Sequence, residues 1–379
     1  MASSEGTRAT IEHLSEAIGP RPCGSEGEHR AAEWVASRLR DLAFEVTQET
    51  FRCAPGFALT FLLLTLTSFA ALGLMGRCPA CALAMALAAL IGFVAEGLGR
   101  PVVSRLLPQT ESRNTVGRRA ATARAARVVV VTAHIDSAYA GLVFRPRVVR
   151  WFRAIFVGLL GAMIYTLVLC ALQLRCTVPD WVTLPAAAHL YWVALCLTHQ
   201  VIWAKPVPGA GDNASGVAAL LAVAEELPPL ATTEVWLVAT GAEEAGLYGM
   251  SHLLSSHAFA RDRTMFVNID NVGAGPLRLI SHEGILVPMA ADPGILEAAK
   301  KAMAALGLEC RVEAYRTLPV ESAVALASGY RALSIMGSLQ HWHQECDVAA
   351  RVDASVAAQA AGVVTEMLVR WDSATPAVD

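Results

Sequence analysis

Val128-Val129-Val130-Val131-Thr132-Ala133-His134-Ile135-Asp136 is a β-branched run that closes on a histidine and an acid two residues apart. A run of this length and composition predicts a strand buried on both faces, as in a parallel sheet. Three more apolar runs repeat the pattern. Val235-Trp236-Leu237-Val238-Ala239 leads to Glu243 and Glu244, Met265-Phe266-Val267-Asn268-Ile269 to Asp270, and Ala332-Leu333-Ser334-Ile335-Met336 to a loop carrying His343. In open α/β sheets ligands bind beyond the carboxyl ends of the strands, so these polar clusters are expected along one edge. Residues 28–40 place Ala32, Val35, Ala36 and Leu39 at helical spacing, and residues 44–51 alternate like an edge strand. Residues 214–227 form a further expected helix with Val217, Leu220, Leu221 and Ala224 inward, stopped by Pro228 and Pro229. Residues 295–306 and 354–371 also read as helices. The pattern predicts an α/β fold with a mostly parallel central sheet and helices on both faces.

With Asp212, the clusters supply two histidines, a carboxylate able to bridge, two further carboxylates, and one acid left over. That set meets the needs of two neighbouring zinc ions and a proton-handling group, and so points to metal-dependent hydrolysis. A single histidine or acid is usually solvated or hydrogen-bonded; it is the five clusters together that carry the reading.

Five stretches resemble a known family: Ala133-His134-Ile135-Asp136-Ser137, Gly209-Ala210-Gly211-Asp212-Asn213-Ala214-Ser215-Gly216-Val217, Gly241-Ala242-Glu243-Glu244-Ala245-Gly246-Leu247-Tyr248-Gly249, Asn268-Ile269-Asp270, and His343 with Asp347. They are similar to the co-catalytic dizinc aminopeptidases, whose relatives include glutamate carboxypeptidases, glutaminyl cyclases and the catalytically silent transferrin receptors. Ile18-Gly19-Pro20-Arg21-Pro22 and Gly24-Ser25-Glu26-Gly27-Glu28 look like that family's opening, with weaker specificity. The resemblance implies an eight-stranded sheet, with His134 and Asp270 on one zinc, Glu244 and His343 on the other, and Asp212 between them. It leaves Asp136 to orient His134 or its surroundings, and Glu243 to pass a proton from the attacking water to the leaving amine. The implied reaction is removal of amino-terminal residues from peptides by hydroxide formed between the metals. Two other readings stand beside it: glutaminyl-cyclase-like acyl transfer, and a non-enzymatic receptor or scaffold on the same fold.

His341 and His343 on an extended loop would point opposite ways, and His343 keeps the family's spacing to Asp347. His252 and His282 read as surface or hydrogen-bonded residues, and His189 and His199 as neutral groups between apolar helices. One segment departs from the family, Leu318-Pro319-Val320-Glu321-Ser322-Ala323-Val324-Ala325-Leu326. Glu321 and, just ahead of that segment, Arg316 are expected as exposed surface charges rather than as contacts for a substrate ammonium and carboxylate.

The 379-residue chain carries a formal charge of −3, is 55% hydrophobic and only 17% charged. That balance gives no reason to expect a nucleic-acid partner. The excess hydrophobicity is concentrated in four nearly uncharged runs, each near the ~20 residues that cross a bilayer. They are expected to form two transmembrane hairpins, residues 57–97 and 151–203, inserted into a discontinuous peptidase domain of residues 1–56, 98–150 and 204–379. An even number of crossings returns the chain to one side, so all the polar clusters can assemble there. Arg52, Arg100, Arg105, Arg145, Arg147, Arg150, Arg153 and Lys205 flank the hairpin bases, whereas the tips carry Arg77 and Arg175. The positive-inside rule then puts the bases in the cytoplasm, and no basic-then-apolar signal segment argues otherwise. The expected partners are a peptide substrate and a lipid bilayer, with oligomer formation unsupported. Cys78 and Cys81 form a C-x-x-C at a hairpin tip, and one of them could pair with Cys176 at the other tip.

Overall fold

The computed structural model describes residues 3–374. Among the described residues two compact units are present, one formed by the chain up to residue 55, residues 110–139 and the chain from residue 206 on, the other by residues 56–109 and 140–205.

The first unit is built on a nine-stranded sheet. Its strands are β1 (Glu45–Cys53), β2 (Thr110–Arg119), β3 (Arg127–His134), β4 (Thr233–Thr240), β5 (Thr264–Asp270), β6 (Arg278–Glu283), β7 (Met289–Ala290), β8 (Arg311–Tyr315) and β9 (Arg331–Met336). The spatial order is β1-β2-β4-β3-β5-β9-β6-β8, with β7 paired to β6. The central strands β4, β3, β5 and β9 run parallel. β1, β2 and β6 add antiparallel pairings towards the margins. β1 lies at the margin, as its alternation predicts.

Alternation within β3 divides the core. Val129, Val131 and Ala133 join the larger apolar cluster with Val217, Leu220, Leu221 and Ala224 of helix Ser215–Glu226, Val35 and Leu39 of helix Glu26–Asp41, and Val363 and Val364 of helix Ala354–Ser373. Val130 faces the other way, towards Val238, Phe266 and Ala325. Helices thus cover both faces. Local signals set their ends: Ser25 accepts a hydrogen bond from Glu28 N, Asp292 from Ile295 N ahead of Pro293, and Asp353 from Ser355 N, as N-caps do.

The second unit contains helices Phe57–Leu74, Pro79–Gly97, Phe152–Gln173 and Leu184–Ile202. Each, the last counted with the preceding turn, is long and apolar enough to span a membrane. They share a core of Leu62, Leu64, Phe93, Met163 and Leu190, yet the outward faces remain apolar, with Ile91 58% and Ile202 60% exposed. Thr65 and Thr166 return their hydroxyls to the carbonyls of Phe61 and Ala162 in their own helices, and His189 Nε2 lies 3.3 Å from Ile155 O. Cys78 Sγ sits 2.8 Å from Cys81 Sγ, while Cys176 Sγ contacts Leu172 O, so each tip cysteine has its neighbour within its own hairpin.

Candidate metal centre

Every polar cluster expected at a strand end is found there. His134 and Asp270 are the last residues of β3 and β5, Glu243 and Glu244 follow β4, and the loop after β9 carries His343. Asp212 lies in the turn before helix Ser215–Glu226. His134 Nε2 is 3.1 Å from Asp212 Oδ1 and 3.7 Å from Asp270 Oδ1. His343 Nε2 is 3.0 Å from Asp212 Oδ2 and 3.0 Å from Glu244 Oε1. Asp212 therefore turns one oxygen to each imidazole. Two donor groups share it, His134/Asp212/Asp270 and Asp212/Glu244/His343, each with its ligand atoms within 4.8 Å of one another. His134, Glu243 and Glu244 make a third such group. His341 belongs to none of the groups; its Nδ1 lies 3.3 Å from Cys346 Sγ.

Buried acids hold the donor-bearing turns. Asp136, fully buried, accepts hydrogen bonds from Glu243 N at 3.1 Å and Glu244 N at 3.0 Å. Its backbone carbonyl lies 3.1 Å from His134 Nδ1. A carbonyl can only accept, so Nδ1 carries the proton and Nε2 offers its lone pair towards Asp212. Asp347 accepts from Gly211 N at 2.7 Å and Asp212 N at 3.0 Å. Glu28 accepts from Gly24 N, Ser112 Oγ and Ala242 N. Asn213 joins the Asp212 turn to the end of β5, donating to Ile269 O and accepting from Gly216 N and Asn271 N.

Arg21, which the sequence marked only as part of a weak opening motif, is wholly buried. Its guanidinium donates to the carbonyls of Ile135, Leu14, Gly19, Pro208 and Gly209. Burial lowers its pKa to about 10, with Asp347, Asp136 and Asp212 opposing the fall. It therefore stays cationic near the acids and fixes the backbone next to both His134 and Asp212. Tyr315, at the end of β8, is a second residue that no motif announced. Its phenol is buried, and burial together with Asp270, Asp212 and Glu243 pushes its pKa well up.

The donor set fits divalent cations on electrostatic grounds. Burial, joined by Glu244, Asp270 and Asp136, raises the Glu243 carboxyl well above its ordinary range, although His134 opposes the rise. Burial likewise lifts Glu244 to about 7, against the pull of His343. Burial alone would raise Asp212, but the imidazoles of His134 and His343 beside its two oxygens hold it low. Asp212 Oδ2 and Glu244 Oε1 are both buried and receive no hydrogen bond, although His343 Nε2 is close to each. Carboxylates crowded in this way, beside imidazole lone pairs, are matched to cations rather than to further hydrogen-bond donors.

Glu321 corrects the sequence expectation. It is not a surface charge but 1% exposed, at the start of helix Glu321–Ala327. Burial raises its carboxyl to about 7, with Thr240, His134 and Thr132 opposing. Arg316 is exposed as expected. His282 and His252 contact Ser281 and Ser256 at the surface.

Residues 186–368 match the family model described as Peptidase family M28. That span includes Asp212, Glu243, Glu244, Asp270 and His343, and leaves out His134 and Asp136. The fold is similar to that of a zinc aminopeptidase from Bacillus subtilis, at 16% identity and TM-score 0.60, covering 100% of this chain and 98% of that one. A Zn-dependent exopeptidase from Parabacteroides distasonis matches at 15% identity and TM-score 0.59, covering 97% and 98%. A glutaminyl cyclase from Porphyromonas gingivalis matches at 15% identity and TM-score 0.56, covering 98% and 97%. No curated protein matches the chain. The resemblance to the co-catalytic zinc peptidases, read first from short motifs, thus extends to the fold.

Proposed function

We propose that this chain is a membrane-embedded, zinc-dependent exopeptidase, acting as an aminopeptidase on short peptides. The observation that carries the reading is Asp212, whose Oδ1 faces His134 and whose Oδ2 faces His343. On this reading His134 and Asp270 hold one zinc, Glu244 and His343 the other, and Asp212 is shared. When bound, two zinc ions would polarise the scissile carbonyl and lower the pKa of the attacking water.

Glu243 accepts the proton of that water and returns it to the leaving amine. A buried carboxyl held above its ordinary range is suited to accept a proton and return it. Asp136 is a positioning residue: its two oxygens fix the amides of Glu243 and Glu244, while its carbonyl sets the tautomer of His134. Arg21 holds the carbonyls of Ile135 and Gly209, beside His134 and near Asp212 respectively.

Membrane insertion is supported by four helices of spanning length whose outward faces stay apolar. The catalytic unit is proposed to face the cytoplasm, because the basic residues concentrate at the hairpin bases. Reporter fusions at residue 1 and near residue 78 test that side.

Glutaminyl-cyclase-like acyl transfer is the second reading, favoured by the fold likeness to the Porphyromonas gingivalis enzyme. The deciding experiment uses detergent-solubilised protein, elemental analysis, and a panel of amino-acid anilides, carboxyl-blocked peptides and a glutaminyl peptide, with and without chelator. Chelator-sensitive release from free-amine substrates with two zincs per chain is expected. Cyclisation of the glutaminyl peptide without hydrolysis of the others, or no bound transition metal, overturns the aminopeptidase reading.

A further inference from the structure

Two cysteines that take no part in the chemistry above meet against the loop bearing Glu243 and Glu244. Cys23 lies just beyond buried Arg21, ahead of helix Glu26–Asp41, and Cys53 is the last residue of β1. They are 30 positions apart in sequence, yet their Sγ atoms are 3.4 Å apart. Both are buried, Cys23 at 7% and Cys53 at 1% exposure. Around them pack Ala242 and Ala245, with Phe51 and Tyr248 at the margin.

This contact differs from the chain's other cysteine arrangements. Cys78 and Cys81 touch because they share one helical turn at a hairpin tip, so local geometry accounts for them. Cys170 and Cys196 are buried within their helices, as small apolar side chains are. Cys23 and Cys53 come from different elements, and the fold brings their sulfurs together in an apolar pocket. A thiol is a weak donor and a weak acceptor, so the pairing gains little from hydrogen bonding.

We propose that Cys23 and Cys53 form an oxidation site that closes to a disulfide when a small disulfide oxidant is present. Cys23, the more exposed, gives its proton to solvent, against the upward push on its pKa from Cys53, burial and Glu28, and attacks glutathione disulfide, forming a mixed disulfide and expelling one glutathione thiolate. Cys53 then loses its proton and attacks the Cys23 sulfur of that mixed disulfide, expelling the second glutathione thiolate. Two protein thiols are oxidised, one glutathione disulfide is reduced to two thiols, and the two protein protons end on the released thiolates. A small dithiol such as dithiothreitol reverses the exchange.

The bond would join two segments that pack against the loop. Glu28 already joins Gly24 N, next to Cys23, to Ala242 N, next to Glu243. Closure would fasten the end of β1 to that same segment. The sulfur contact and its packing are independent of which reaction the metal centre performs.

The test uses the full chain in detergent micelles, treated with glutathione disulfide or with dithiothreitol, then alkylated, digested without reduction and mapped by mass. A cross-linked peptide joining Cys23 to Cys53, lighter than its two halves by two hydrogens, is expected after glutathione disulfide and lost after dithiothreitol. In Cys53→Ser the cross-link disappears and Cys23 carries glutathione. The decisive reading is on the unaltered chain, so it does not depend on how the variant folds. Recovery of both cysteines alkylated after oxidation overturns the proposal. So does a lasting glutathione adduct on Cys23 of the unaltered chain, or linkage of either residue to another cysteine.

Discussion

Replacing Asp136 with asparagine separates the positioning of the catalytic loop from the holding of metal. The side chain is fully buried, and each of its oxygens accepts one loop amide, Glu243 N and Glu244 N. Asparagine keeps the shape but turns one acceptor into an NH₂ group that faces an N–H, and it removes the charge from the bond that survives. Hydrogen bonds to charged groups contribute about 1.5–3 kcal/mol. If that loss is felt where Glu243 must meet the attacking water, catalytic efficiency falls by ~10- to ~150-fold. Residues that orient metal ligands from behind typically give losses of about 10- to 100-fold, so two separate arguments arrive at the same range. The contact between His134 Nδ1 and the Asp136 carbonyl is made by backbone and survives the substitution; zinc content is therefore expected to stay unchanged. The assay is kcat/KM on an amino-acid anilide in detergent, with zinc per chain measured on the same sample. Efficiency within twofold of the parent, with the zinc intact, would refute the claim that Asp136 places the Glu243–Glu244 loop.

Further outcomes follow from the same geometry. Glu243→Gln should lower turnover by ~10²- to ~10⁴-fold while leaving zinc bound, and a fully active variant would remove Glu243 from the proton path. Chelator-stripped protein should lose thermal stability as pH rises from about 5 to about 8. The sign follows from Glu28, raised by burial to about 8, and Glu283 and Glu321, raised by burial to about 7: a carboxyl raised on folding stabilises below its unfolded pKa and ceases to as pH climbs through the folded one. A melting temperature that rises over that interval would contradict it. Ile164→Arg, on an exposed face of helix Phe152–Gln173, should impair insertion by about 2.5–3.5 kcal/mol near a membrane centre; unchanged recovery in the carbonate-resistant membrane fraction would count against that helix spanning.

The central strands and the clusters at their ends were legible because two plain rules coincide: β-branched runs make buried strands, and parallel strands present their carboxyl ends together. β2 was not legible. Its sequence, Thr-Glu-Ser-Arg-Asn-Thr-Val-Gly-Arg-Arg, is polar and lacks a β-branched run, yet Ser112, Asn114 and Thr115 are buried in it. Each has a bond that replaces water: Ser112 donates to Glu28, Thr115 donates to Ala32 O, and Asn114 accepts from Gly241 N and donates to Gly249 O. Polarity that serves to anchor the loop after β4 is indistinguishable, residue by residue, from polarity that faces solvent. Glu321 misled for the same reason.

The same ambiguity explains why the ligand-type acids were easier to recognise than the acids supporting them. Glu28, Asp136 and Asp347 are as buried as Asp212 and Asp270, and nothing in residue type separates the two sets. What separates them is what faces their oxygens. Asp136 and Asp347 each accept two backbone amides from a donor-bearing turn, and Glu28 accepts two amides and a hydroxyl. Asp212 instead has an imidazole nitrogen opposite each oxygen. An acid saturated by N–H donors has its lone pairs committed and can only position its neighbours, whereas an acid whose oxygens face other Lewis bases needs a cation between them. Sorting buried carboxylates by the partners of their oxygens therefore supports the metal-holding role proposed for Asp212 and the positioning role proposed for Asp136, and extends positioning to Asp347 and Glu28. It also predicts that substituting the second set will disturb turnover before it disturbs zinc content.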